Sequence, residues 1–142
     1  MDLIYRTACA EQTVAQYIDA RFEWGRYDCA RMTAAHVKRM GHKASLAMFG
    51  HYKSLAGAKR ALTRAGFDSL EAVLDARFAR IAPASAWVGD IIALPGDTDM
   101  PALAVRLTNG RVICLAGEGF VIAEPVEYVA AWRIPYIAVS AT

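Results

Sequence analysis

The spacing of apolar residues divides the chain into a helical stretch and a β-rich stretch, with the change near Pro83. Val14, Tyr17, Ile18 and Phe22 recur at helical spacing and Gly25 follows, which predicts a first helix over 8–21. Asp28 is a suitable N-cap for a second helix running from Cys29 to about Met40 and stopped by Gly41. Ser54 can cap a third helix that ends at Gly66, and Asp68-Ser69-Leu70-Glu71 reads as a capping-box variant opening a fourth, to about Phe78. After Pro83 the apolar runs shorten. Residues 90–94 predict a strand, and 102–107 and 111–116 flank Thr108-Asn109-Gly110, a strong hairpin signal. Gly117-Glu118-Gly119 turns the chain into 120–123, and a last strand covers about 131–139, where Pro135 implies an edge or a bulge. Helices first and antiparallel strands after predict an α+β domain. It spans 1–142 as one unit, mainly helical over 1–82 and mainly β over 83–142.

Composition adds a dense core to this picture. The chain has 142 residues and is 56% hydrophobic with 21% charged residues, which argues against disorder and fits either a dense core alone or apolar surface that a partner covers. The net charge of +2 hides an asymmetry: residues 1–80 carry 13 Lys/Arg and 8 Asp/Glu, residues 81–142 carry 3 and 6. The basic residues form no dense stripe with interleaved aromatics, so no nucleic-acid partner is expected. Cys9, Cys29 and Cys114 are odd in number and far apart, which argues against a disulfide framework or a zinc site. Asp97 and Asp99 share a polar loop with too few local ligands for a metal. No metal or cofactor is expected. The start lacks a basic segment followed by an apolar one, and no uncharged apolar run reaches the roughly 18–20 residues of a spanning helix. The expectation is synthesis in the cytoplasm without a cleavable signal and no membrane partner.

Candidate chemistry concentrates in Phe22-Glu23-Trp24-Gly25-Arg26-Tyr27-Asp28-Cys29. A cysteine in the first turn of a helix sits in partial positive charge, which favours the nucleophilic thiolate. The same position also suits a buried small hydrophobe, and the spacing alone leaves both readings open. Trp24 and Tyr27 serve as packing groups or substrate platforms, Gly25 as a tight turn, and Asp28 as a cap first.

An aromatic-Gly segment followed by Asp28-Cys29 at a helix start resembles the nucleophile motif of the NlpC-type, papain-like cell-wall peptidases. Asp28-Cys29-Ala30-Arg31 stands where that family usually has Asp-Cys-Ser-Gly. Gly89-Asp90-Ile91-Ile92 is similar to the Gly-Asp that starts the family's sheet. Residues 103–110 resemble its His-Val-Gly-Ile-Tyr strand and glycine turn. Trp24-Gly25, Asp28-Cys29 and the closing Ala131-Trp132-Arg133 look like a small domain family of phage tail gene regions.

The resemblance implies a papain-like fold with helices on a C-terminal antiparallel sheet and Cys29 as nucleophile, working or vestigial. It also implies a cleft around Trp24, Gly25, Asp90, Ala102 and Cys114. The family's histidine position falls on Ala102, or on Pro101 with a one-residue slip, and its third polar position falls on Cys114. Neither the base nor its orienting group is present there. His36 lies two turns after Cys29, about 10 Å along the helix and beyond hydrogen-bond reach, while His42 and His51 flank an interhelical loop. The expected role is a phage-type tail-tip or baseplate structural protein, carried in the virion and contacting other tail proteins. The alternatives are a tail endopeptidase cutting peptidoglycan peptides with Cys29, and a cytosolic acyltransferase or amidase of the same broad fold.

Overall fold

The structure is a computed structural model describing residues 2–43, 52–96 and 101–138. Four helices come first: α1 (Leu3–Tyr17), α2 (Cys29–Arg39), α3 (Leu55–Arg64) and α4 (Leu70–Asp75). Three of them begin at a side chain that satisfies an orphan backbone N–H. Asp28 accepts from the Arg31 N–H, Ser54 from Gly57 and Ser69 from Ala72. The cap of α4 is therefore Ser69, one residue later than the capping-box reading placed it. The first helix also departs from expectation, running over 3–17 rather than 8–21. Its buried face is Arg6, Cys9, Ala10, Thr13 and Tyr17. Arg6 and Thr13 are polar, so the apolar spacing did not reveal the helix's true start.

Among the described residues six strands form one antiparallel sheet: β1 (Arg80–Ile81), β2 (Ile91–Leu94), β3 (Ala102–Arg106), β4 (Val112–Ala116), β5 (Gly119–Ala123) and β6 (Ala130–Trp132). Their spatial order is β1-β6-β2-β3-β4-β5. The fold class is thus α+β, as the order of the elements predicted. The β3–β4 hairpin turns through Asn109 and Gly110, both at positive φ (58° and 75°), the conformation these residue types supply most cheaply. The last strand ends at Trp132 rather than near 139, and Pro135 lies outside it. The two-residue β1 was not anticipated. It pairs Arg80 with Trp132 and Ile81 with Ala131, tying the end of the helical half to the sheet.

Period-2 alternation gives the sheet two different faces. Ile91, Ala93, Leu103, Val105, Ile113 and Trp132 point toward the helices and share one core with Met32 and Val37 of α2 and with Met40 at its C-cap. Ile92, Ala104, Val112, Cys114 and Ala131 form a second cluster on the opposite face, with Ala86. No helix among the described residues is long and apolar enough to cross a membrane.

Candidate functional site

The N-terminus of α2 is fixed by one carboxylate. Asp28 is 3% exposed, and its Oδ1 accepts from the Arg31 N–H at 2.8 Å. Its Oδ2 accepts from the Gly25 N–H and from the Tyr52 hydroxyl, each at 2.8 Å. Three donors on a buried carboxylate hold the aromatic-Gly segment, the helix start and the segment before α3 in one arrangement. Gly25 sits at φ 79°, and a Cβ there would collide with the Tyr52 carbonyl oxygen. Close approach and positive φ both require glycine at this position. Burial raises the Tyr52 pKa well above the usual phenol value, and the Asp28 carboxylate, which holds the hydroxyl proton, raises it further.

Above this platform lies a cleft of about 510 Å³. Phe22 and Trp24 meet edge-to-face at 5.0 Å, and Trp24 meets Tyr52 at 6.5 Å, forming an aromatic wall. Leu55, Ala58 and Leu62 of α3 form another side. Pro101 and Ala102, at the start of β3, face the helix start, and Leu115 closes the end of β4. Asp28, Cys29, the Tyr52 hydroxyl and the Trp24 indole N–H bring side-chain polar groups to this lining.

Cys29 borders the cleft but is crowded by protein. Burial pushes its thiol above the ordinary value; the Leu103 backbone N–H lowers it by a smaller amount, and the Asp28 charge raises it further. The sequence reading expected the helix terminus to favour thiolate; desolvation wins instead. Cys29 packs with the core that contains Leu103, so the strand opposite the thiol is apolar.

Both described histidines, His36 and His42, are committed elsewhere. His36 is fully buried. Its Nε2 lies 2.8 Å from the Gly89 carbonyl oxygen, which can only accept, so Nε2 carries the proton. Nδ1 then accepts from the Thr13 hydroxyl at 2.8 Å, and Arg39 donates to that hydroxyl at 3.1 Å. Burial, reinforced by Arg39 and Arg6, lowers the His36 pKa to about 4. It is a neutral strut between α1, α2 and the turn before β2. His42 donates from Nε2 to the Pro135 carbonyl oxygen at 2.6 Å. His51, like Asp97 and Asp99, lies outside the described residues.

Two residues assigned to the cleft by resemblance stand away from it. Asp90 is fully buried and organises the other end of the sheet. Its Oδ1 accepts from Arg6 at 2.7 Å and from the Ile134 N–H at 2.9 Å, while Oδ2 accepts from the Trp87 N–H at 2.8 Å. Arg133 approaches the same Oδ2 at 3.0 Å. Cys114 belongs to the cluster on the far face of the sheet, and strand alternation gives the cleft-side place to Leu115. Trp24 and Ala102 do line the cleft, while Gly25 supports it from beneath through the Asp28 bond. Tyr52 is the residue the sequence did not reveal. Its partners are 24 and 28 positions away, and no local pattern marks them.

Among the described residues no group of three or more His, Cys, Asp or Glu is placed to hold a metal ion. A family model described as "Domain of unknown function (DUF6950)" matches residues 5–134. No curated protein matches the chain.

Proposed function

The chain belongs to this family, Domain of unknown function (DUF6950), and we propose that it is a degenerate NlpC-type, papain-like domain serving as a structural component of a phage-type tail tip or baseplate. The observation that carries the degenerate reading is the setting of Cys29. It opens α2 beside a capping aspartate, as a thiol nucleophile would, yet its thiol is raised by burial and faces Pro101, Ala102 and Leu103. Amide hydrolysis needs a thiolate and a group that protonates the leaving amine. None of those three residues has an ionisable side chain, and His36 spends both ring nitrogens on Thr13 and Gly89.

The assembly role draws support from exposed apolar surface. Leu3, Ile4 and Tyr5 are 54%, 82% and 58% exposed at the start of α1. Tyr5 stacks on Tyr136 at 5.3 Å, and Ile137 is 48% exposed beside it. Large apolar side chains exposed together at the start of a helix suit an interaction surface better than solvent.

Purified particles from the strain carrying the gene test the reading by quantitative mass spectrometry. Incorporation of the chain into tails, retained in Cys29→Ala and lost in Ile4→Glu/Tyr5→Glu, is the expected result. Turnover of muropeptides by the purified chain, abolished in Cys29→Ser, would replace this reading with that of a tail endopeptidase.

A further inference from the structure

The charges of this chain are segregated by sign. Residues 29–67 carry eight Lys/Arg and no Asp/Glu, whereas residues 112–132 carry three Glu and no Lys/Arg. The basic stretch holds α2 and α3, and the acidic stretch runs from β4 through β6. Surfaces of opposite sign steer toward each other, and surfaces of like sign repel.

The acidic stretch is also where apolar side chains stand in solvent. Five of the large apolar side chains exposed among the described residues fall between 121 and 129: Val121, Ile122, Val126, Tyr128 and Val129. β5 is an edge strand, so the chain passes β4, β3 and β2 to reach the place of β6. On this connection Val126 is 95% exposed and takes no part in the core, and the exposed Glu124 and Glu127 flank it. Val121 lies opposite Cys114 of the far cluster, so it points away from α1 and α2. Exposed apolar groups framed by carboxylates suit a partner that brings apolar groups framed by cations.

The basic stretch presents such a surface. Arg60 and Arg64, four residues apart, stand on the exposed side of α3. Near them Ala65, Phe67 and Val73 are only partly buried, packed against Ala61 and Leu62. Pairing the acidic surface with itself would set the glutamates of one copy against those of the other, a repulsion that pairing with α3 replaces by attraction.

We propose that the β5–β6 connection of one copy docks on α3 of a second copy, so that the chain associates with itself head to tail. An interface between two different patches is heterologous, and it closes into a ring or grows into a filament. The inference goes beyond the tail reading and does not depend on it. Copies that associate in solution but never enter tails would sink that reading and leave this one standing.

Sedimentation velocity and native mass spectrometry of the intact chain provide the test. Oligomers should grow with concentration at low ionic strength and weaken as salt screens the contact. Glu124→Lys/Glu127→Lys and Arg60→Glu/Arg64→Glu should each weaken association by at least about tenfold, because attraction becomes repulsion. Mixing these two variants should restore association between them, since each brings the patch that the other has lost. Val126→Ser should weaken association without lowering the melting temperature. Ile4→Glu/Tyr5→Glu, on a different surface, should leave it unchanged. A chain that stays monomeric at every concentration reached overturns the proposal. So does association that survives both charge reversals, that does not return on mixing, or that Ile4→Glu/Tyr5→Glu abolishes.

Discussion

His36 should make the domain sensitive to mild acid. Its folded pKa is lowered to about 4, against about 6.5 for an unfolded histidine. Between these values the unfolded chain binds a proton that the folded chain refuses, so stability falls as pH falls. The contribution is fully present above about pH 6.5 and is lost as pH descends through about 4. A gap of about 2.5 pH units corresponds to about 3 kcal/mol. That is a large fraction of the stability of a domain this size, about 5–15 kcal/mol. Urea denaturation at a series of pH values gives the wild-type profile, and His36→Gln supplies a side chain that still donates and accepts but does not titrate. The wild-type minus variant difference should decline by about 3 kcal/mol between about pH 7 and pH 4. A flat difference curve, or one that rises toward acid, would refute the buried neutral strut.

The Asp28 hub makes a second prediction. Asp28→Ala removes a helix cap of about 1 kcal/mol and leaves the Tyr52 hydroxyl and the Gly25 N–H unpaired at about 1–3 kcal/mol each, for a total of about 3–7 kcal/mol. Tyr52→Phe alone should cost about 1 kcal/mol, and the double variant should show coupling of about 1 kcal/mol in a urea cycle; additive losses would deny the shared bond. Gly25→Ala and Gly66→Ala both place alanine at positive φ, but only the first meets the Tyr52 carbonyl oxygen, while nothing lies within 4 Å at Gly66. Gly66→Ala should cost about 1–2 kcal/mol and Gly25→Ala clearly more, read from the same denaturation midpoints. Equal losses would show that Tyr52 does not pack over Gly25.

Where local signals and the fold agreed, the sequence was legible. The caps Asp28 and Ser54, the Asn109-Gly110 turn and the alternating strands all act over a few residues, and each marked its element within a residue or two. Misreadings arose where a distant partner decided the outcome. Arg6 reads as a surface residue until Asp90, 84 positions away, neutralises it in the core, and that pairing lets α1 begin at Leu3. The last strand looked long because Trp132, Ile134 and Tyr136 alternate. Beyond Trp132, however, the Ile134 N–H turns to the Asp90 carboxylate instead of a neighbouring strand. At the site, Cys29, Asp28, Trp24 and Ala102 were visible, whereas Tyr52 was not. The spacing left the state of the thiol open, because a helix terminus is a local feature whereas desolvation, which raises this thiol, is a property of the whole packed site.

The pH dependence of Cys29 alkylation tests the central claim most directly. The rate of iodoacetamide labelling at Cys29, resolved by peptide mass spectrometry from the buried Cys9 and Cys114, follows the thiolate fraction. A vestigial nucleophile raised by burial should label slowly at about pH 7, with a rate still climbing past the ordinary thiol pKa of about 8.5. A plateau reached below about pH 7 would reveal an activated thiolate and contradict the degenerate reading.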